Sequence, residues 1–125
     1  IVATSLDIQA DSGIYSGTVL ENSTVTTTTT GTARDNTLST ANGGAGFLIV
    51  TAKSGTSPTL DAKIQHSADN TTYVDLVTFT QATAETSEVK LVDEGTTVNR
   101  YLKAILTVGG STPSFTAIIG FGRNN

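Results

Sequence analysis

The sequence contains no cysteine, no methionine and no tryptophan, and only 14% of its 125 residues are charged, against roughly 25% in ordinary soluble domains. The lack of cysteine excludes a disulfide framework, a thiolate metal site and a cysteine nucleophile together, and it leaves the redox compartment unreadable. Basic residues are scarce, seven Lys and Arg against eleven Asp and Glu, giving a net charge of −4. The phosphate-neutralising surface on which nucleic-acid affinity depends is therefore missing, and nucleic acid is not an expected partner. No apolar run approaches the roughly 20 residues that span a bilayer as a helix, and no basic amphipathic segment is present to lie on one, so no membrane partner is expected. With no methionine in the chain, translation is not expected to start at Ile1. The opening Ile1-Val2-Ala3-Thr4 lacks the basic region and sustained apolar run of a secretory signal.

Threonine, by contrast, is abundant and makes up a fifth of the chain. Its β-branched side chain suits a half-buried pleated surface. With twelve glycines and few straight-chain helix formers, local propensity points to strands joined by tight turns. A chain of this length buries roughly two-thirds of its unfolded surface, enough for one real core. Residues 1–45 are polar, with scattered apolar positions, whereas residues 46–122 carry nearly all the strong strand patterns. The first part has too few large apolar residues for a core of its own. The reading is therefore one β domain over 1–125, with 1–45 as an N-terminal arm and edge strands and 46–122 as the main core.

Phe47 to Ala52 is an apolar run of strand length, expected to be central and buried on both faces. Leu60, Ala62, Ile64 and His66 then alternate with Asp61, Lys63 and Gln65, which predicts a strand with one wet side. Further strands are expected over Tyr73 to Thr80, Val89 to Val92, Leu102 to Val108 and Phe115 to Phe121, with Arg123-Asn124-Asn125 as a polar tail. Thr26 to Thr30 reads as an exposed or edge strand. Ser54-Gly55-Thr56-Ser57-Pro58 and Gly109-Gly110-Ser111-Thr112-Pro113 read as turns, and the segments around them correspond position by position, from Ala52 with Thr107 to Leu60 with Phe115. That correspondence reflects either the common chemistry of hairpin turns or a pseudo-twofold relation between two sheets. Short strands with regularly spaced turn signals favour a sandwich, jelly roll or barrel.

Catalytic chemistry finds little support. His66, the sole histidine, sits on the apolar face of an alternating strand and reads as structural. No Gly-x-Ser-x-Gly elbow occurs. Asp61, His66, Asp69 and Asp75 fall close together in the chain but match no calcium-loop spacing; Asp61 and His66 should diverge across the strand, and Asp69-Asn70 is ordinary turn chemistry. Glu85, Glu88, Asp93 and Glu94 read as solvated loop and edge carboxylates, and Gly43-Gly44-Ala45-Gly46 precedes a strand instead of the helix a phosphate loop requires. No enzyme activity, metal or cofactor is expected. Tyr73, Tyr101 and Tyr15 would be the aromatic supply of a glycan-binding surface.

The stretch Gly46-Phe47-Leu48-Ile49-Val50-Thr51-Ala52-Lys53-Ser54-Gly55-Thr56-Ser57-Pro58-Thr59-Leu60-Asp61, the segment Ile64-Gln65-His66-Ser67-Ala68-Asp69, and Asn99-Arg100-Tyr101-Leu102-Lys103-Ala104 through Phe115 to Arg123 resemble small β-rich structural proteins of tailed bacteriophages. The likeness spans the C-terminal part of the chain, from Gly46 to Arg123, and is nearest to capsid cement, or head decoration, proteins. It implies an antiparallel β-sandwich of jelly-roll type with an extended N-terminal arm. It also implies a homodimer or homotrimer that binds the major capsid protein on the outside of the virion, after synthesis in the host cytoplasm, and clamps neighbouring subunits. Tail tube, tail-tip and related proteins use similar sandwiches, so they remain the alternative within that setting, and a glycan-binding module remains the alternative outside it. If residues 1–25 form the arm, Ile1, Val2, Leu6, Ile8, Ile14 and Tyr15 would be its interface residues, each large side chain contributing roughly 1.5–3 kcal/mol when fully buried. The competing reading has them complete the domain's own sheet.

Overall fold

A computed structural model of the protein describes residues 5–10 and 13–124, with side chains described from position 17 onward, and every regular element among them is a strand. These are β1 (Ser5–Ala10), β2 (Gly13–Val25), β3 (Thr29–Thr30), β4 (Arg34–Asp35), β5 (Gly44–Ser67), β6 (Val74–Thr78), β7 (Thr86–Val92) and β8 (Tyr101–Arg123). All pairings are antiparallel, in one sheet of order β1-β2-β8-β5-β6, with β3 and β4 also beside β8 and β7 also beside β5.

Two strands organise everything else. β5 and β8 run antiparallel along their whole lengths, from Gly44↔Arg123 to Ser67↔Tyr101. The segments expected to be turns, 54–58 and 109–113, are therefore not chain reversals: they face each other in mid-ladder, with Thr56 opposite Ser111. Their correspondence in sequence is a local pseudo-twofold between two segments that pair with one another. Gly55 and Gly110 have φ of 110° and 102°, and Ser57 and Thr112 have φ of 48° and 45°. A Cβ on Gly55 would stand 2.6 Å from the Thr112 carbonyl oxygen, and one on Gly110 would stand 2.6 Å from that of Ser57. Left-handed backbone on both strands at one level, with register shifts at Val50/Ala52, Ser54/Thr56 and Thr56/Thr59, makes a bend.

The bend doubles the sheet over. Laid out straight, Gly46 and Ile64 would lie about 59 Å apart along β5 at roughly 3.3 Å per residue. In the fold a Cβ on Gly46 would be 3.2 Å from Ile64 Cδ1 and 3.4 Å from Phe79 and Val77. One core cluster accordingly takes residues from both halves of each long strand: Leu48 and Val50 with Leu60, Ala62 and Ile64 from β5, and Leu102, Ala104 and Leu106 with Phe115, Ala117, Ile119 and Phe121 from β8. The period-2 alternation read from the sequence is the inward face of these ladders. β2 adds Leu20 and Val25, and the segments flanking β6 and β7 add Phe79, Ala82 and Val98.

The end of β8 is fastened. Arg123, expected in a polar tail, is the last residue of that strand; its guanidinium donates to Thr40 Oγ1 (3.0 Å) and to the carbonyls of Val98 (2.8 Å), Asn99 (2.7 Å) and Arg100 (3.2 Å). Its half-burial lowers its basicity. The four acceptors take the N–H donors of its two terminal nitrogens and join the strand's two ends.

Candidate interaction surfaces

Asp61, His66, Asp69 and Asp75, grouped by their closeness in sequence, are engaged one by one in local structure. Asp61 accepts from Gln81 Nε2 at 3.1 and 3.2 Å. His66 is buried with the core face of β5, and its Nδ1 accepts the Asn99 amide at 3.0 Å. Burial, and secondarily the charge of Arg123, hold its imidazole below the ordinary histidine range. Asp69 closes the turn after β5: its carboxylate accepts from the amides of Thr71 and Thr72 (both 2.9 Å) and from Ser67 Oγ, which lowers its pKa. Asp75 accepts from Gln65 and pairs with Lys63 at 3.1 Å, with the same consequence. Asp61 and His66 diverge to opposite faces of β5, as the alternation predicts, and the four side chains are not gathered. Among the described residues no cluster of three or more His, Asp or Glu is placed to hold a metal ion.

A polar surface forms where β4, the start of β8 and the turn before β6 meet. Arg100 grips Asp35 with two parallel bonds, Nε to Oδ1 at 2.6 Å and Nη2 to Oδ2 at 2.8 Å, and this fork holds the Asp35 carboxyl down at about 2. The Arg100 guanidinium also lies 4.9 Å from the centroid of Tyr101, and Lys103 Nζ is 3.8 Å from that of Tyr73, whose hydroxyl donates to Asn70. Two of the three tyrosines named as the aromatic supply of a glycan surface, Tyr73 and Tyr101, are thus brought to one surface, each with a cation over its ring, while the side chain of Tyr15 lies outside the description. A cleft of about 520 Å³ opens nearby between β2 and β4, with Leu20, Leu102 and Phe121 at its apolar floor and Thr18, Arg34 and Asp35 at its rim.

A second surface is apolar and belongs to the outer side of the sheet. Directly opposed residues share a face. The register therefore aligns Val89, Phe47, Gly120 and Val19 in one row, Leu91, Ala45 and Gly122 in the next, and Ser87, Ile49 and Ile118 in a third. Phe47 lies over Gly120, where a Cβ would overlap its ring, and Phe47, Ala45 and Val19 are buried without joining the core cluster. Towards β7 the face becomes exposed: Val89 at 47%, Leu91 at 46% and Ile49 at 36%. Sequence reading placed Val89 to Val92 in a strand and took Glu85, Glu88, Asp93 and Glu94 for solvated loop and strand-edge carboxylates, but which strands flank it depends on long-range pairing that the sequence does not display.

Of the expected arm residues, Ile1 and Val2 lie outside the described residues. Leu6 and Ile8 fall in β1 and Ile14 and Tyr15 in β2, paired as Leu6↔Gly17, Ile8↔Tyr15 and Gln9↔Ile14; their side chains too lie outside the description. β2 pairs with β8 only from Gly17 onward, so 13–16 pair with β1 alone. β1 also touches β5, although β2 and β8 stand between them in the sheet, three strand spacings or about 14 Å if flat. The first hairpin is therefore turned towards β5. Compared with models of protein families and with curated proteins, the chain matches none of them.

Proposed function

We propose that this protein is a non-enzymatic structural component of a tailed-phage virion, a cement protein of β-sandwich, jelly-roll type that binds the outer surface of the major capsid lattice and clamps neighbouring subunits as a homo-oligomer. The observation that carries the reading is the distribution of side chains. Asp61, His66, Asp69 and Asp75 are each committed to a separate structural bond, while aliphatic side chains are exposed along a sheet edge. A low-charge, Thr-rich surface of this kind is suited to being covered by other protein, since a freely solvated domain ordinarily carries more charge. The doubled sheet and its single core support the sandwich. In this reading the first hairpin, whose 13–16 segment pairs with β1 alone, is itself the arm: it carries Leu6, Ile8, Ile14 and Tyr15, and Ile1 and Val2 precede it in the chain. On a lattice, many weak contacts of this sort multiply into firm attachment.

The glycan-binding reading draws on the shared surface of Tyr73 and Tyr101, but Lys103 and Arg100 lie over the ring faces that a sugar would need. The capsid reading is preferred for that reason. Cryo-electron microscopy of intact particles tests it: regular density for the domain over capsomer junctions, with the N-terminal arm on a neighbouring subunit, is the expected result. Density confined to the tail would replace it with a tail-tube or tail-tip role.

A further inference from the structure

The four lateral borders of the sheet differ in how well they are protected against adding another strand. β3 and β4 border β8 with two residues each, β6 has five residues and a register shift at Ile64/Gln65, and β1, the border on the β2 side, runs six residues without a shift, its side chains lying outside the description. Short, interrupted or bulged edges are the usual guards against edge-to-edge pairing. β7 has none of these: it runs seven residues beside β5 in unbroken register, without proline or bulge. Among the described residues, the backbone of Thr86–Val92 forms no hydrogen bond outside the β5 ladder. Ser87, Val89, Lys90 and Leu91 along it are exposed.

The sequence of β7, Thr-Ser-Glu-Val-Lys-Leu-Val, is self-complementary in one register. Two copies of an edge strand pair antiparallel about a twofold axis perpendicular to the sheet, so one residue must face its own counterpart. Centring on Glu88 or Lys90 sets like charges opposite each other. Centring on Val89 sets Glu88 against Lys90 of the second copy twice over, with Val89 on Val89 and Leu91 against Ser87 on the apolar face. Opposite charges directly across a ladder are favourable and like charges unfavourable. Lys90, which alone would blunt the edge, becomes the group that selects the register.

We infer that β7 is a self-association edge, at which a second copy of this chain adds antiparallel through β7 with Val89 at the twofold axis. The pairing joins two sheets edge to edge and places the exposed Val89, Leu91 and Ile49 of both copies on the same side of one continuous surface. Edge geometry and charge order carry it, independently of any virion role.

The experiment is sedimentation equilibrium of the full chain over a concentration series, with circular dichroism to verify the fold of each variant. The wild type is expected to show a monomer–dimer equilibrium. Lys90→Glu and Glu88→Lys each set like charges across the axis and should weaken dimerisation at least tenfold. An equimolar mixture of the two variants restores Glu–Lys pairs at every crossing, and should dimerise like the wild type. A wild type that stays monomeric at the highest concentration, or variants that dimerise as tightly as it does, would overturn the assignment. So would a mixture that fails to recover. Because Glu88 also accepts from the Thr80 amide and hydroxyl (2.8 and 3.0 Å), Glu88→Lys is scored only where its circular dichroism matches the wild type; otherwise Lys90→Glu paired with Val89→Lys, which puts like charges at the axis, decides the case by loss alone.

Discussion

His66 is the chain's single imidazole, buried on the inward face of β5 and bonded through Nδ1 to the Asn99 amide. Its folded-state pKa lies below the ordinary value of 6.5, mainly because burial disfavours the charged ring. The unfolded chain therefore takes up a proton near pH 6.5 while the folded chain does not. Stability from this group is fully present above that pH and falls as the pH drops through the folded-state pKa. Thermal unfolding between pH 7.5 and 5 should show a falling midpoint for the wild type. His66→Asn, whose Oδ1 can accept the same amide without titrating, should flatten that window. A wild-type midpoint that stays level would show that the imidazole is not held neutral. The carboxylates act in a separate range: Asp35, held at about 2 by Arg100, gives up its contribution only as the pH falls from 3.8 towards 2.

At the scale of elements, the bend in β5 and β8 separates two kinds of left-handed residue. Gly55 at φ 110° needs its missing side chain, because a Cβ would press on the Thr112 and Ser111 carbonyls and on Pro113. Thr112 at φ 45° is β-branched in a conformation that suits Asn or Gly better. Substitutions on the two strands at this one level of the ladder should thus have opposite signs. Gly55→Ala is expected to destabilise by about 1–3 kcal/mol and Thr112→Asn to stabilise by about 1 kcal/mol in urea unfolding. A neutral Gly55→Ala would mean the strands do not bend there. This bend is also where sequence reading fell short. Alternation from Leu60 to His66 and from Phe115 to Phe121 identified the inward faces correctly, because burial on one side of a strand imposes a period of two. Gly, Ser and Thr with positive φ, followed by Pro, serve a hairpin turn and a mid-strand bend equally well, so local chemistry could not tell a chain reversal from a fold in two paired strands. The apolar surface of Ile49, Val89 and Leu91 was hidden for a similar reason. Each residue is ordinary in its own strand, and only the register between β5, β7 and β8 sets them side by side.

For the molecule as a whole, the consequence of sharing β5 and β8 between both halves is that neither half owns a complete core. Leu48 lies before the bend and Ile64 after it, yet both are fully buried in the same cluster. Removing either should destabilise the entire domain: Leu48→Ala and Ile64→Ala are each expected to cost about 2–5 kcal/mol, from lost burial and the cavity left behind. The loss should appear as a shift of one transition. Far-UV circular dichroism follows the whole sheet, whereas in a Tyr15→Phe background the two remaining tyrosines, Tyr73 and Tyr101, report on the region where β5 ends and β8 begins. If unfolding is all-or-none, the two signals coincide for the wild type and for both variants. Were the bend a joint between independently stable halves, Leu48→Ala would split the curve, with circular dichroism falling first and tyrosine fluorescence holding to the wild-type midpoint. The β5–β8 ladder resumes on both sides of its three register shifts, from Gly44↔Arg123 to Ser67↔Tyr101, and the core draws on both sides, which argues for the single transition, because opening either half strips core contacts from the other.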